Sequence, residues 1–225
     1  MIIAIAAVLL GYVVYRVNFV LTYDWHWPQV LGYIASWDDD AGRLIPNLLA
    51  KGLMTTLRLA FWATLLAAAI GLLMGLARTS RNLFLRTVSR IYVELIRNIP
   101  TVVFIFVFYF FISSQLMPLI GIDDFVYGAS PATIAVVEIL FSPMQLFSNF
   151  LAGLICLAMF EGAYITEIVR AGVQSIPKGQ WEAARAVGLS RFNVQRDVIL
   201  PQAIRKILPP LAGQFITLIK DSAIV

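Results

Sequence analysis

Long apolar runs alternate with short charged blocks along this chain. Uncharged stretches extend from Leu59 to Ala77, from Asn98 to Ile122 and from Ile139 to Phe160, with a first segment from Met1 to Tyr15. Each is a candidate to cross roughly 30 Å of hydrocarbon as a helix. The Met1 segment lacks a basic leader and a small-residue cleavage site, and its apolar character continues past Arg16 to Leu21. It therefore reads as a retained anchor helix rather than a signal peptide.

Charge assigns the sides, because Lys and Arg in short loops are held on the cytoplasmic face. One block carries Arg78, Arg81, Arg86, Arg90 and Arg97; a second carries Arg170, Lys178, Arg185, Arg191, Arg196, Arg205 and Lys206. Twelve of the 17 basic residues lie in these two blocks. The stretch from Thr22 to Lys51 instead holds Asp24, Asp38, Asp39 and Asp40, and that from Ser113 to Asn149 holds Asp123, Asp124 and Glu138 with no basic residue. Both basic blocks read as cytoplasmic, both acidic loops as external, and the N-terminus as cytoplasmic. Two cytoplasmic blocks flanking one external loop require two crossings, predicted near Asn98–Ile120 and Phe150–Ala171. The apolar residues from Pro131 to Leu146 then form an external or interfacial excursion. A last apolar helix starts after Pro201, and the chain reads as truncated beyond Val225.

Composition agrees with a membrane domain. Of 225 residues 60% are hydrophobic and 13% charged, against about 45–50% and about 25% in soluble domains. The net charge of +4 forms no continuous surface stripe, so no nucleic acid partner is expected. A single cysteine, Cys156, allows neither a disulfide framework nor a Cys-based metal site. The sole histidine, His26, sits among Trp25, Trp27 and Pro28, which suits an aromatic interface belt better than intramembrane hydrolysis. No catalytic residue and no metal site are assigned.

Two features carry chemistry. Ala63, Ala67, Gly71 and Gly75 recur every fourth residue, making a small-residue face for close helix packing within a bundle. Glu161 falls in the middle of a span, where an ionised carboxylate costs about 2.5–3.5 kcal/mol by insertion scales. It is expected to face the bundle interior, either on a substrate path or in a structural bond to Tyr164 or a neighbouring helix.

The loop after Arg170 predicts an elbow. Pro177 and Gly179 mark a turn, Gln180–Val187 a short helix, Gly188 a left-handed C-terminal cap and Ser190 the cap of a second helix. That second helix is expected to end before Leu200, because Pro201 disfavours the helical conformation of the residue before it. Glu182 in the first turn suits the helix dipole and can pair with Arg185 or Lys178. Ala183 and Ala184 should leave a patch for close packing of another surface. The residues EAARAVG and VILP, nine residues apart, resemble the EAA loop of ABC importer permeases, through Glu182, Ala183, Ala184, Gly188, Leu200 and Pro201. Val198 stands where that family usually has Ile.

The wider stretches GLMTTLRLAFW, YVELIRNIP, AYITEIVRAGVQSIPKGQWEAA, ILPQAIRKILPP and KDSAIV are similar to polar amino acid uptake permeases of the histidine, glutamine and glutamate type. The resemblance covers about Asn47 to Val225 and implies an all-α polytopic bundle of about five transmembrane helices. Residues 1–46 would be an added anchor helix and external loop, and 47–225 the permease domain, with its EAA loop at about 175–201. It further implies an inner-membrane subunit that forms the translocation path together with a second permease, a cytoplasmic ATPase dimer and a periplasmic amino-acid-binding protein, in contact with membrane lipid. Gly179, Glu182, Ala183, Ala184, Gly188, Leu200 and Pro201 would couple it to the ATPase, and Glu161 and Tyr164 would border the path. The chain has no phosphate-binding loop of the GxxxxGK[ST] type, so ATP would be bound and hydrolysed by the partner ATPase. The rival reading, an ion-coupled secondary transporter, predicts inverted repeats, and none are visible in the sequence.

Overall fold

A computed structural model describes residues 2–20, 26–39 and 42–224. Asp24, Trp25 and Asp40, counted above in the first acidic loop, lie outside the described residues. The chain divides into two compact units, Met1–Gly52 and Leu53–Val225.

In the first unit, α1 (Ile2–Tyr15) continues as a π-helical turn, Arg16–Val20, so the apolar run is helical through Arg16 as its hydropathy suggests. A short helix, α2 (Trp27–Ile34), leads into an antiparallel pair, β1 (Ala35–Asp38) with β2 (Arg43–Pro46), in which Ala35 faces Pro46 and Asp38 faces Arg43. The hairpin is an addition to the all-helical expectation. Asn47 secures its base, its backbone N–H donating to Ile34 O (2.9 Å) and its side-chain amide to Gly32 O (2.7 Å).

Helix α3 (Leu48–Thr79) is 32 residues long and free of proline, so at 1.5 Å per residue it exceeds the roughly 30 Å hydrocarbon layer. Helix α4 (Leu83–Arg97) follows, its first turn capped by the Asn82 side chain, which accepts from Phe84 N and Leu85 N. Then α5 (Thr101–Val107), a π-helical turn (Phe108–Ile112) and α6 (Ser113–Leu119) form one helical run. Two short helices, α7 (Ile122–Gly128) and α8 (Pro131–Leu140), precede α9 (Phe147–Gln174). The elbow contains α10 (Lys178–Ala186), α11 (Arg191–Asn193) and a π-helical turn (Val194–Ile199), and the last helix is α12 (Leu200–Asp221).

Among the described residues four stretches are long and apolar enough to cross a membrane: Ile3–Val20, Leu48–Thr79, Thr101–Leu119 and Met144–Gln174. The fifth expected span, α12, has the length, but Arg205, Lys206, Lys220 and Asp221 make it more polar. Helix α8 has ten residues, too few to span a bilayer, in agreement with an excursion there. Its end is pinned to the first half of α3, where Arg58 donates to Glu138 O (3.1 Å) and Trp62 Nε1 to Leu140 O (2.9 Å). These side chains satisfy carbonyls that the helix leaves open.

Helix α9 is the central post of the second unit. It buries 61% of its most apolar window, against 33% for α3, and is lined with small residues: Ala152, Gly153, Ala158, Gly162 and Ala163 are all buried. The small face of α3 packs here. Ala63 and Ala67 are fully buried, and they join Leu157, Ala158, Ile165 and Val169 in one core. A methyl group at Gly71 would overlap the Ile165 side chain and stand 3.2 Å from Gly162 O; one at Gly75 would come within 2.5 Å of Val169. Gly71→Ala is therefore expected to lower stability by about 1–3 kcal/mol, as overpacked cores do. Gly52→Ala, inside the same helix, where a methyl meets nothing within 4 Å, should instead raise it by about 0.5–1 kcal/mol, the helix-interior cost of glycine. Thermal unfolding of the two variants in detergent makes the comparison.

At Pro201 the sequence expectation fails. The helix does not end before Leu200: residues 191–221 form one helical run, and Leu200 itself has φ −58° and ψ −45°. Pro201 lacks an N–H and its ring crowds the carbonyl four residues earlier. The preceding π-helical turn spanning 194–199 loosens the backbone there, so the helix carries the proline without breaking.

Candidate functional site

The elbow is built on a Schellman cap. Gly188 has φ +81°, its N–H donates to Arg185 O (2.9 Å), and the N–H of Leu189 reaches back to Ala184 O (3.3 Å). This pair of bonds closes the last turn of α10 and needs a left-handed residue at position 188. Ser190 then caps the next helix, accepting from Asn193 N at 3.3 Å. Both caps stand where the sequence places them.

Beneath the elbow lies core. Ala184, Val194, Ile199 and Ala203 are buried with Val173 and Ile176 from the end of α9. Polar ties join the same elements: Gln202 Nε2 donates to Gln180 Oε1 (3.1 Å), and Lys206 Nζ to Ser175 O (3.1 Å). The elbow, the start of α12 and the end of α9 thus share one packed core and two polar ties. This corrects the reading of the alanine patch. Ala184 faces inward at 5% exposed, while Gly179, Glu182 and Ala183 face outward. Glu182 forms no ion pair among the described residues, so the pairing open to it with Arg185 or Lys178 is not used; both are themselves exposed to solvent. Leu200 and Pro201 lie within the continuous helix, not at a joint.

Deeper in the bundle Glu161 is fully buried. Its Oε2 accepts from Gln214 Nε2 on α12, and its Oε1 has no hydrogen-bond partner among the described residues. Asp221, farther along α12, also acts on it electrostatically. Tyr164 is not its partner. That ring packs on Phe160 and receives the Arg97 guanidinium 4.9 Å from its centre, a cation–π contact. The two residues placed together on a path therefore point to different neighbours. Lys220 is exposed and forms no ion pair among the described residues.

Two elements were missed. Gln214, the residue that meets Glu161, was visible as a lone amide in the apolar run LPPLAGQFITL. The other is an ion-pair chain at the ends of α3 and α9. Glu167 Oε1 meets Arg78 Nη1 at 2.5 Å, Glu167 Oε2 meets Arg170 Nε at 2.7 Å, and Arg170 Nη1 donates to Gln174 Oε1 at 2.5 Å. Arg170 at three residues from Glu167 was readable; Arg78, from a distant helix, was not.

The chain matches the model of the family described as binding-protein-dependent transport system inner membrane component, over residues 67–225. It is 34% identical over 175 residues to a putative glutamine transport system permease protein of Rickettsia typhi, covering 78% of this chain and 68% of that protein. It is 35% identical over 177 residues to a glutamate/aspartate import permease protein of Escherichia coli K12, covering 77% and 65% respectively. Among solved structures it is similar to the crystal structure of an amino acid ABC transporter with histidines, with a TM-score of 0.56, 35% identity and 77% of this chain covered, 68% of that one.

Proposed function

The chain belongs to the family of binding-protein-dependent transport system inner membrane components, and from that premise we propose that it lines the translocation path of an ATP-driven importer of polar amino acids. The elbow and the turn between α3 and α4 face the cytoplasm, as does the N-terminus. A cytoplasmic ATPase dimer binds and hydrolyses ATP, a second permease subunit completes the path, and a periplasmic binding protein delivers the amino acid. The names of the relatives support this substrate class.

The observation that carries the reading is the packing of the elbow. Gly179, Glu182 and Ala183 present an open face, and Ala184 on the opposite face is embedded in the core shared with α9 and α12. A push on the open face by the closing ATPase is transmitted through rigid contacts, because close-packed interiors pass displacement on rather than absorb it. Gly188 fixes the angle of α10. The unbroken helix through Leu200 and Pro201 carries the movement to Gln214, where it bears on Glu161. Glu161 borders the substrate path, and Tyr164 with Arg97 forms its neighbouring wall.

Uptake of a radiolabelled polar amino acid by cells expressing the chain with its neighbouring subunits tests the energy source. Depleting ATP is expected to stop uptake, while an uncoupler that collapses the proton gradient at constant ATP leaves it running. The reverse pattern would establish ion-coupled transport and overturn the proposal.

A further inference from the structure

At the end of α3 the elbow borders an open cleft of about 730 Å³ with two kinds of wall. Arg81 from the turn before α4, Arg185 from the last turn of α10 and Arg191 from α11 converge on it, and no Asp or Glu lines it. None of the three joins an ion pair among the described residues, although Arg78, Arg90, Arg170 and Arg196 all do. Three guanidiniums around one space repel one another, and no carboxylate among the described residues lines the cavity to offset that. The remaining wall is apolar: Leu73 and Leu76 belong to the last turns of a candidate membrane span, and Leu85 to the first turn of α4. Leu73 is 68% exposed and Leu85 44%. Trp181, half-buried, also lines the cavity, and indole rings are favoured at membrane surfaces.

A ligand that satisfies both walls has an anionic end and an apolar end. We propose that the cavity binds an anionic phospholipid of the inner leaflet, its phosphate held among Arg81, Arg185 and Arg191 and an acyl chain laid along Leu73, Leu76 and Leu85. The proposal rests on the orientation given under the proposed function, which puts the ends of α3 at the inner leaflet, where basic pockets recognise acidic headgroups. Guanidinium pairs phosphate through two parallel hydrogen bonds, which suits arginine rather than lysine at all three positions. A free phosphate would leave the leucine wall in water. Bound there, the lipid ties the α3–α4 turn to the elbow, so the bilayer's acidic lipid content sets how firmly the coupling element is held.

The test is lipid retention by the full chain, purified with whatever subunits accompany it, from vesicles of phosphatidylcholine with phosphatidylglycerol. Native mass spectrometry of the wild type is expected to show retained phosphatidylglycerol. The variant with Arg81→Gln, Arg185→Gln and Arg191→Gln should retain about a hundredfold less, at roughly fivefold per basic residue. Arg196→Gln, on the same loop but outside the cavity, should match the wild type. Unfolding midpoints in phosphatidylcholine alone report folding of the triple variant. If it is unfolded, Arg81→Gln by itself, outside the elbow, decides the matter with about a fivefold loss. Equal retention by wild type and variant overturns the proposal. So does displacement of the lipid by millimolar inorganic phosphate, which would mark a free-anion site, or loss of the ATPase from the triple variant in lipid-free detergent, which would make the arginines an ATPase contact. Retention is read without ATP or substrate, so failure of the transport reading leaves this result interpretable.

Discussion

Gly188→Val is expected to reduce amino acid uptake at least tenfold while the protein still inserts and folds. No atom lies within 4 Å of the position a methyl group would take at Gly188, so the effect is not a clash. It is conformational: at φ +81° an L-residue costs about 1–2 kcal/mol, and a β-branched one is an outlier there. The chain relieves that strain by leaving the left-handed region, which breaks the bonds from Gly188 N to Arg185 O and from Leu189 N to Ala184 O and re-aims α10. Buried Ala184 is then pulled against its core. Stimulation of ATP hydrolysis by the loaded binding protein should vanish together with uptake, since both need the angle of α10. Gly188→Asn is the discriminating control, because asparagine visits the left-handed region at little cost, and it should keep most activity. A valine variant with wild-type coupling would dismiss the elbow as the transmitting element.

Glu161→Gln is expected to raise the KM for uptake about tenfold with stability unchanged or improved. The carboxylate is fully buried, with Gln214 on one oxygen and the Asp221 side chain as its other polar neighbour. Removing its charge relieves a desolvation penalty, and an amide can still meet Gln214. What the amide cannot supply is a charge-assisted bond to a substrate ammonium group, worth about 1.5–3 kcal/mol, and 1.4 kcal/mol is a factor of ten. Gln214→Leu separates binding from architecture. It strips the carboxylate of its amide donor and should lower stability, by the roughly 1–3 kcal/mol or more that an unsatisfied buried group costs. A Glu161→Gln protein with unchanged KM and maximal rate would remove the residue from the substrate path and leave it a structural anchor between α9 and α12.

Four of the five spans, the shortness of α8, the close-packing face from Ala63 to Gly75 and both caps of the elbow were legible in the linear chain. Each depends on residues within one or two helical turns: run length against bilayer thickness, a four-residue recurrence of small side chains, a glycine free to adopt positive φ. Three-dimensional packing decided the rest. Pro201 reads locally as a break, yet the π-helical turn before it lets the helix pass, a backbone adjustment that no side-chain pattern reports. Ala183 and Ala184 look equivalent in sequence, and only the core beneath α10 turns one outward and buries the other. Glu161 announces itself as a charge in an apolar run, but its partner Gln214 lies 53 residues away, as Arg78 lies far from Glu167 and Arg81 from Arg185. The chain alone determined which long apolar segments are helical and which faces are small or charged, because these follow from propensity and periodicity over a few residues. Which buried carboxylate meets which amide, and which arginines share a cavity, was settled by helix–helix packing, because those distances depend on how the helices are arranged and not on spacing along the chain.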